Sequence, residues 1–179
     1  MAGSADAAGN DLLRVSPNGR VSTLAVLPPQ PVSITAGLAA GLHLPACVVG
    51  ATYDAEPVPT DVERGPDGML YVSTLAGTPA RGSVYRVDPV TGAFSRIATG
   101  FAGATGLAVA PDGTVYVAEL FGGAISRVVA GAPQPVVQVS FPAAVEWSDG
   151  KLYATVDVFA SFGPQGPVPG NGKVVTVTP

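Results

Sequence analysis

An Asp-Gly pair recurs three times along this chain of 179 residues, each time followed by a tyrosine at the same distance: Asp67-Gly68 before Tyr71, Asp112-Gly113 before Tyr116, Asp149-Gly150 before Tyr153. The three glycines are spaced by 45 and 37 residues. Asp and Gly accept the backbone angles that tight hairpins demand, so each pair reads as a turn joining two strands. In the middle copy the apolar run Leu107–Ala110 precedes the turn, and Thr114–Glu119 follows it with strand-like alternation. Ala124–Val129 and Pro135–Ser140 complete a set of four strands. A partial copy, ADAAGNDLLRVSPNGRVSTLAVL, opens the chain where a second strand would be ending. Four short strands repeated every ~40–45 residues are the signature of β-propeller blades. One such sheet cannot bury both its faces, and stacking sheets around an axis does so. A solenoid of β-hairpins is the alternative architecture.

The expected fold class is therefore all-β, a partial propeller of about three and a half four-stranded blades. Residues 1–27 read as a partial blade, 28–59 as an insertion, 60–100 and 101–141 as blades, and 142–179 as an incomplete last blade. On this count the first blade lacks its innermost strand and the last its outermost, so the chain reads as truncated. Unpaired strands at open ends template pairing with other chains. Self-association, or a second chain that completes the propeller, is the expected consequence.

The insertion carries the most apolar run, Val32–Ala51, but Pro45, His43 and glycines interrupt it. It reads as a loop with a short helix, Thr35 capping Ala36–Leu42, that covers apolar surface. No membrane span is expected.

Composition excludes several classes. Charged residues make up 12% of the chain, about half the roughly 25% of an average soluble domain. Nine Lys and Arg stand against 13 Asp and Glu, for a net charge of −4, which leaves no basic footprint for nucleic acid. Cys47 and His43 are the only residues of their types. That excludes a Cys₄ or Cys₂His₂ zinc site, and any disulfide, within one chain. Pro45 lies between the two, so no helix carries both, and they read as loop residues rather than a catalytic pair.

Candidate sites are few. The position that ends the second strand of a copy holds Thr74, Glu119 and Val156, with Asp6 at the matching place in the partial copy. An acid there accepts hydrogen bonds from the N–H groups of the following loop. Asp6, Asn10 and Glu119 are read as loop braces in this way. The alternative makes Asp6, Glu119 and Asp157, with Asp61, oxygen ligands of a hard divalent cation such as calcium at the rim of the central cavity. Without that alternative no cofactor is expected. Glu146 is the catalytic candidate: beside Trp147, on a strand that should line the axis, its carboxyl would have a raised pKa and serve as general acid or base. The plainer reading has Trp147 filling core and Glu146 facing water or an arginine. Asp61 opens the equivalent strand of another blade, while Gly106 and Ala143 bring no chemistry to the aligned position. Phe159–Gly172, rich in Pro and Gly, reads as a loop between strands of the last blade and as a place for a partner to bind.

GLAVAPDGTVYVAEL, VYRVDP and ADAAGNDLLRV are similar to NHL-type and gluconolactonase-like propellers. More specifically, LLRVSPNGRVSTLAVLPPQP, CVVGATYDAEPVPTDVE and TGFAGATGLAVAPDGTVYVAELFGG resemble the ScyD/ScyE family over about Ala5 to Pro179. The resemblance implies a secreted bacterial protein, of a kind common in actinobacteria, with no established activity. It also implies that the family's signal peptide and leading blades lie outside this chain. Arg64 departs from the family pattern, which favours an apolar residue there. Two functions stay open. The first is a non-enzymatic binding or scaffold module for a small molecule, glycan or protein. The second is a metal-dependent hydrolase or lyase of lactonase type, with carboxylate ligands on the propeller axis.

Overall fold

The computed structural model describes residues 2–78, 81–163 and 165–179. The chain folds as β-propeller blades, four antiparallel sheets in succession. The first has three strands, β1 (Ala2–Asp6), β2 (Asp11–Val15) and β3 (Val21–Val26). The next two have four each. β6 (Pro59–Arg64), β7 (Leu70–Thr74), β8 (Gly82–Val87) and β9 (Phe94–Phe101) form one. β10 (Ala104–Val109), β11 (Val115–Glu119), β12 (Ala124–Val129) and β13 (Ala132–Gln138) form the other. The last sheet orders β14 (Ala144–Ser148), β15 (Lys151–Val156) and β18 (Lys173–Val177).

The inner strands β6, β10 and β14 neighbour one another in turn, and β1 lies against β6 much as β7 lies against β10. β1 therefore holds a second-strand position, and the first sheet has no inner strand among the described residues. Three apolar layers fill the seams between sheets. Leu12, Leu27, Val72 and Val87 meet in the first, Val84, Phe101, Leu107 and Val117 in the second, and Ile125, Leu152, Val156 and Val177 in the third. Trp147 stacks on Tyr116 across the third seam, with ring centroids 5.8 Å apart.

The Asp-Gly pairs sit in the hairpins between the first two strands of their sheets, but in two forms. Asp149 (φ 50°) and Gly150 (φ 74°) are the two-residue loop that joins Ser148 to its partner Lys151. Two positive φ angles in succession match the right-handed twist of the flanking strands, the type I′ solution. The other two hairpins are longer. Gly65 donates its N–H to Met69 O around Asp67-Gly68, and Ala110 donates to Thr114 O around Asp112-Gly113. In both, the Asp Oδ1 accepts the N–H two residues on, from Met69 and from Thr114.

Between β3 and β6, β4 (Gln30–Ser33) pairs with β5 (Thr52–Ala55). Helix α1 (Ala36–Gly41) lies between them, its N-cap Thr35 accepting the Leu38 N–H at 3.1 Å. The paired strands do the covering, burying Val32 and Ala55, whereas α1 buries Ala39 alone and its C-cap Leu42 is exposed. Gln30 ties the insertion to the second sheet, donating to Ser83 Oγ and accepting from Arg96 Nη1 at 2.7 Å. Residues 159–172 differ from the expected loop: β16 (Phe159–Gly163) and β17 (Gly166–Pro169) form a hairpin projecting between β15 and β18.

Candidate functional site

Alternation along β6 sends neighbouring side chains to opposite faces of the strand. Val62 packs back into the first seam with Leu12. Asp61 and Glu63 face the other way, toward the inner strands that follow. Asp61 uses both carboxylate oxygens on backbone: Oδ1 accepts its neighbour Val62 N–H at 2.8 Å, and Oδ2 accepts Leu107 N–H of β10 at 2.9 Å. Thr60 Oγ1 reaches the same strand, donating to Ala104 O at 3.0 Å.

Glu63 is the group whose ionisation the site disfavours. Burial raises its pKa above the ordinary carboxylate range, and the negative charges of Glu146 and Asp61 raise it further. Glu63 and Glu146 occupy the same register, each opposite the recurring tyrosine: Glu63 faces Tyr71, Ala108 faces Tyr116, Glu146 faces Tyr153. Glu63 did not emerge from the sequence. The hairpin at Asp149-Gly150 is shorter than the other two, so counting back from the turn glycine slips the upstream strand by one residue. Counting from the tyrosines instead brings Glu63 and Glu146 into line, and sets Ala144 rather than Ala143 beside Asp61 and Gly106.

Glu146 is exposed, and its arrangement differs from the expected carboxyl lying against Trp147. Adjacent strand residues point apart, and Trp147 turns inward to Tyr116. Gly106 has a steric role. A Cβ there would lie 2.9 Å from Ala144 Cα, so the close approach of β10 and β14 requires glycine.

The remaining acids lie elsewhere. Glu119 is 6% exposed at the end of β11. Its Oε2 accepts Ala102 N–H at 2.8 Å, and its Oε1 accepts the Ser126 hydroxyl in a short hydrogen bond. At the matching place on β7, Thr74 Oγ1 accepts Ser83 N–H. Asp6 Oδ1 accepts the N–H groups of Ala8 and Gly9. Asn10 reaches further: its Oδ1 accepts Val58 N–H at 3.1 Å and holds the returning end of the insertion. Asp157 pairs with Lys173 Nζ at 2.9 Å, and the ammonium lowers its pKa. Among the described residues, no three His, Cys, Asp or Glu side chains group to hold a metal ion. Cys47 is free and exposed. No helix among those residues is long and apolar enough to cross a membrane.

No family model matches the chain. No curated protein matches it either. Solved structures do. A catalytically inactive virginiamycin B lyase from Staphylococcus aureus, with quinupristin, matches at TM-score 0.59 and 15% identity, over 97% of this chain and 51% of its own. A putative gluconolactonase matches at TM-score 0.59 and 18% identity, over 99% of this chain and 60% of its own. A nidogen/laminin complex matches at TM-score 0.56 and 13% identity, over 87% of this chain and 51% of its own. The chain thus spans about half to three fifths of the length of these structures. At such identities the likeness is one of fold alone, that of a β-propeller.

Proposed function

We propose that this chain belongs to a secreted bacterial propeller of the ScyD/ScyE kind that works as a binding or scaffold module. One observation carries the reading: two of the candidate ligand acids, Asp61 and Glu119, are engaged with the chain's own donors. Asp61 spends both oxygens on backbone N–H groups, and Glu119 spends its two on Ala102 and Ser126. A ligand carboxylate needs free lone pairs turned toward a shared point, and these are turned into strand ends and seams. The module meets its partners through its open sheet and through the β16–β17 hairpin. A second copy, or a separate chain, pairs with the unpaired edges of β1 and β18.

A second reading has its own observation. Glu63, with its raised pKa, shares the inner strands with Asp61 and Glu146. That is the raw material of an acid–base site for a hydrolase or lyase of lactonase type, with a divalent cation such as calcium supplying charge to a carbonyl. Assaying γ- and δ-lactone hydrolysis with and without added calcium separates the two. The binding-module reading predicts no turnover above background. Calcium-dependent turnover that Glu63→Gln or Glu146→Gln abolishes would establish the second reading instead.

A further inference from the structure

Behind β6, on the face opposite Asp61 and Glu63, the first two sheets leave a cavity of about 170 Å³. Leu13, Leu24, Val62, Leu70 and Pro89 give it apolar walls, and Gly3 lines it from β1. Two of the chain's nine cationic side chains, Arg14 and Arg64, complete the lining, and no acid does. Neither arginine is among the ion pairs of the described residues, which are Arg86 with Asp67 and Lys173 with Asp157. Arg14 donates from Nη2 to Val90 O at 3.2 Å, while its Nε is buried without a hydrogen-bond partner. Among the described residues the guanidinium thus has one neutral carbonyl partner and no counter-charge, and an anion in the cavity would supply that charge.

We propose that this seam binds a compact carboxylate with an aromatic or short aliphatic body. Its anionic head meets Arg14 and Arg64, and its body lies against Leu13, Leu24, Val62 and Leu70. Size and chemistry both select that class. An apolar cavity of roughly 150 Å³ takes up benzene, so a benzoate-sized body fits. Guanidinium groups match the planar fork of a carboxylate. Inorganic phosphate would leave the apolar walls unfilled, and a neutral hydrocarbon would leave both arginine charges without a counter-ion. The site gives the binding-module reading a ligand class but shares no carboxylate with the axis, so lactone hydrolysis tests the axis and benzoate tests the seam.

The experiment is a titration of ¹⁵N-labelled protein with benzoate, followed by amide shifts, with benzamide as the neutral counterpart. Saturable shifts at Arg14, Arg64 and Leu70 are expected, with benzamide weaker by about tenfold or more. Arg64→Gln, at an exposed strand end, should weaken benzoate by a similar factor without disturbing the fold. Gly3→Leu tests the cavity without touching charge. A Cβ at that position meets Val62 Cγ2 at 3.8 Å and Leu70 Cδ1 at 3.9 Å, so the side chain grows into the space the ligand needs. Equal binding of benzamide, binding unchanged in Arg64→Gln or Gly3→Leu, or no saturable shift would each overturn the proposal.

Discussion

The carboxylate of Asp61 on one inner strand accepts the backbone N–H of Leu107 on the next, at 2.9 Å. Leu107 is fully buried in the second seam, so this bond satisfies a donor that water does not reach. Asp61 thus joins two blades through an edge that strand pairing leaves open. The following seam closes by another route, with Gly106 admitting Ala144 to close contact. One register position serves two seams, by a carboxylate in one and by the absence of a side chain in the other.

Gly106→Ala should therefore open the third seam. The new Cβ meets backbone rather than a movable side chain, so relief requires the last two sheets to part. A loss of about 1–3 kcal/mol is expected, as for other overpacked sites. Urea unfolding followed by Trp147 fluorescence reads it directly, because Trp147 lies in that seam.

Glu119→Ala should cost more than the ~1 kcal/mol of one lost cap that the sequence suggests. The carboxylate is buried and serves two donors, and removing it strands both Ala102 N–H and the Ser126 hydroxyl. About 2–4 kcal/mol is expected from two unsatisfied buried groups. Glu119→Gln, which keeps an acceptor for one of them, should lose less by the same measurement.

Glu63 should make stability fall as pH rises. Its folded-state pKa lies above its unfolded value, so between the two the folded chain holds a proton that the unfolded chain has released. Folding is then favoured on the acid side, and the advantage is lost as pH climbs through the raised folded pKa. Glu63→Gln should raise the thermal midpoint at neutral pH. The gain should shrink as pH falls through that window, and an unchanged gain would point to a cause other than charge.

Asp67 pulls in the opposite direction. The Arg86 guanidinium, then the Met69 N–H and the Tyr71 hydroxyl, hold its carboxyl below the usual range. Its contribution is present above the unfolded pKa of an aspartate and disappears as pH falls through the depressed folded value. Both partners are solvent-exposed, so Arg86→Gln should leave the neutral-pH midpoint nearly unchanged. The small loss should be screened by salt and should vanish as acid protonates Asp67.

The blades were legible because hairpin chemistry is local. An Asp-Gly turn between alternating strands needs no information from the rest of the chain. The cap at Thr35 was legible for the same reason. The paired strands around Pro31 and Pro167 were not, because proline within an apolar run argues against a strand unless it lies at an edge. Glu63 was hidden by the shorter Asp149-Gly150 hairpin, which displaces every upstream residue relative to the turn. The bond from Asp61 to Leu107 spans 46 residues and could not be read from neighbours in sequence. Glu119 was read as bracing the loop that follows it, whereas its partners are Ala102 N–H from the loop before β10 and the Ser126 hydroxyl of β12, which no neighbour in sequence announces.

Whether the acids hold the framework or await a cation is decided most directly by the thermal unfolding midpoint of wild type and Asp61→Asn, with and without millimolar calcium. A ligand that binds only the folded chain must raise that midpoint. As a brace, Asp61 predicts that Asp61→Asn unfolds at lower temperature and that calcium moves neither protein. A calcium-induced rise in the wild type that disappears in Asp61→Asn would contradict the account and make the carboxylate a metal ligand.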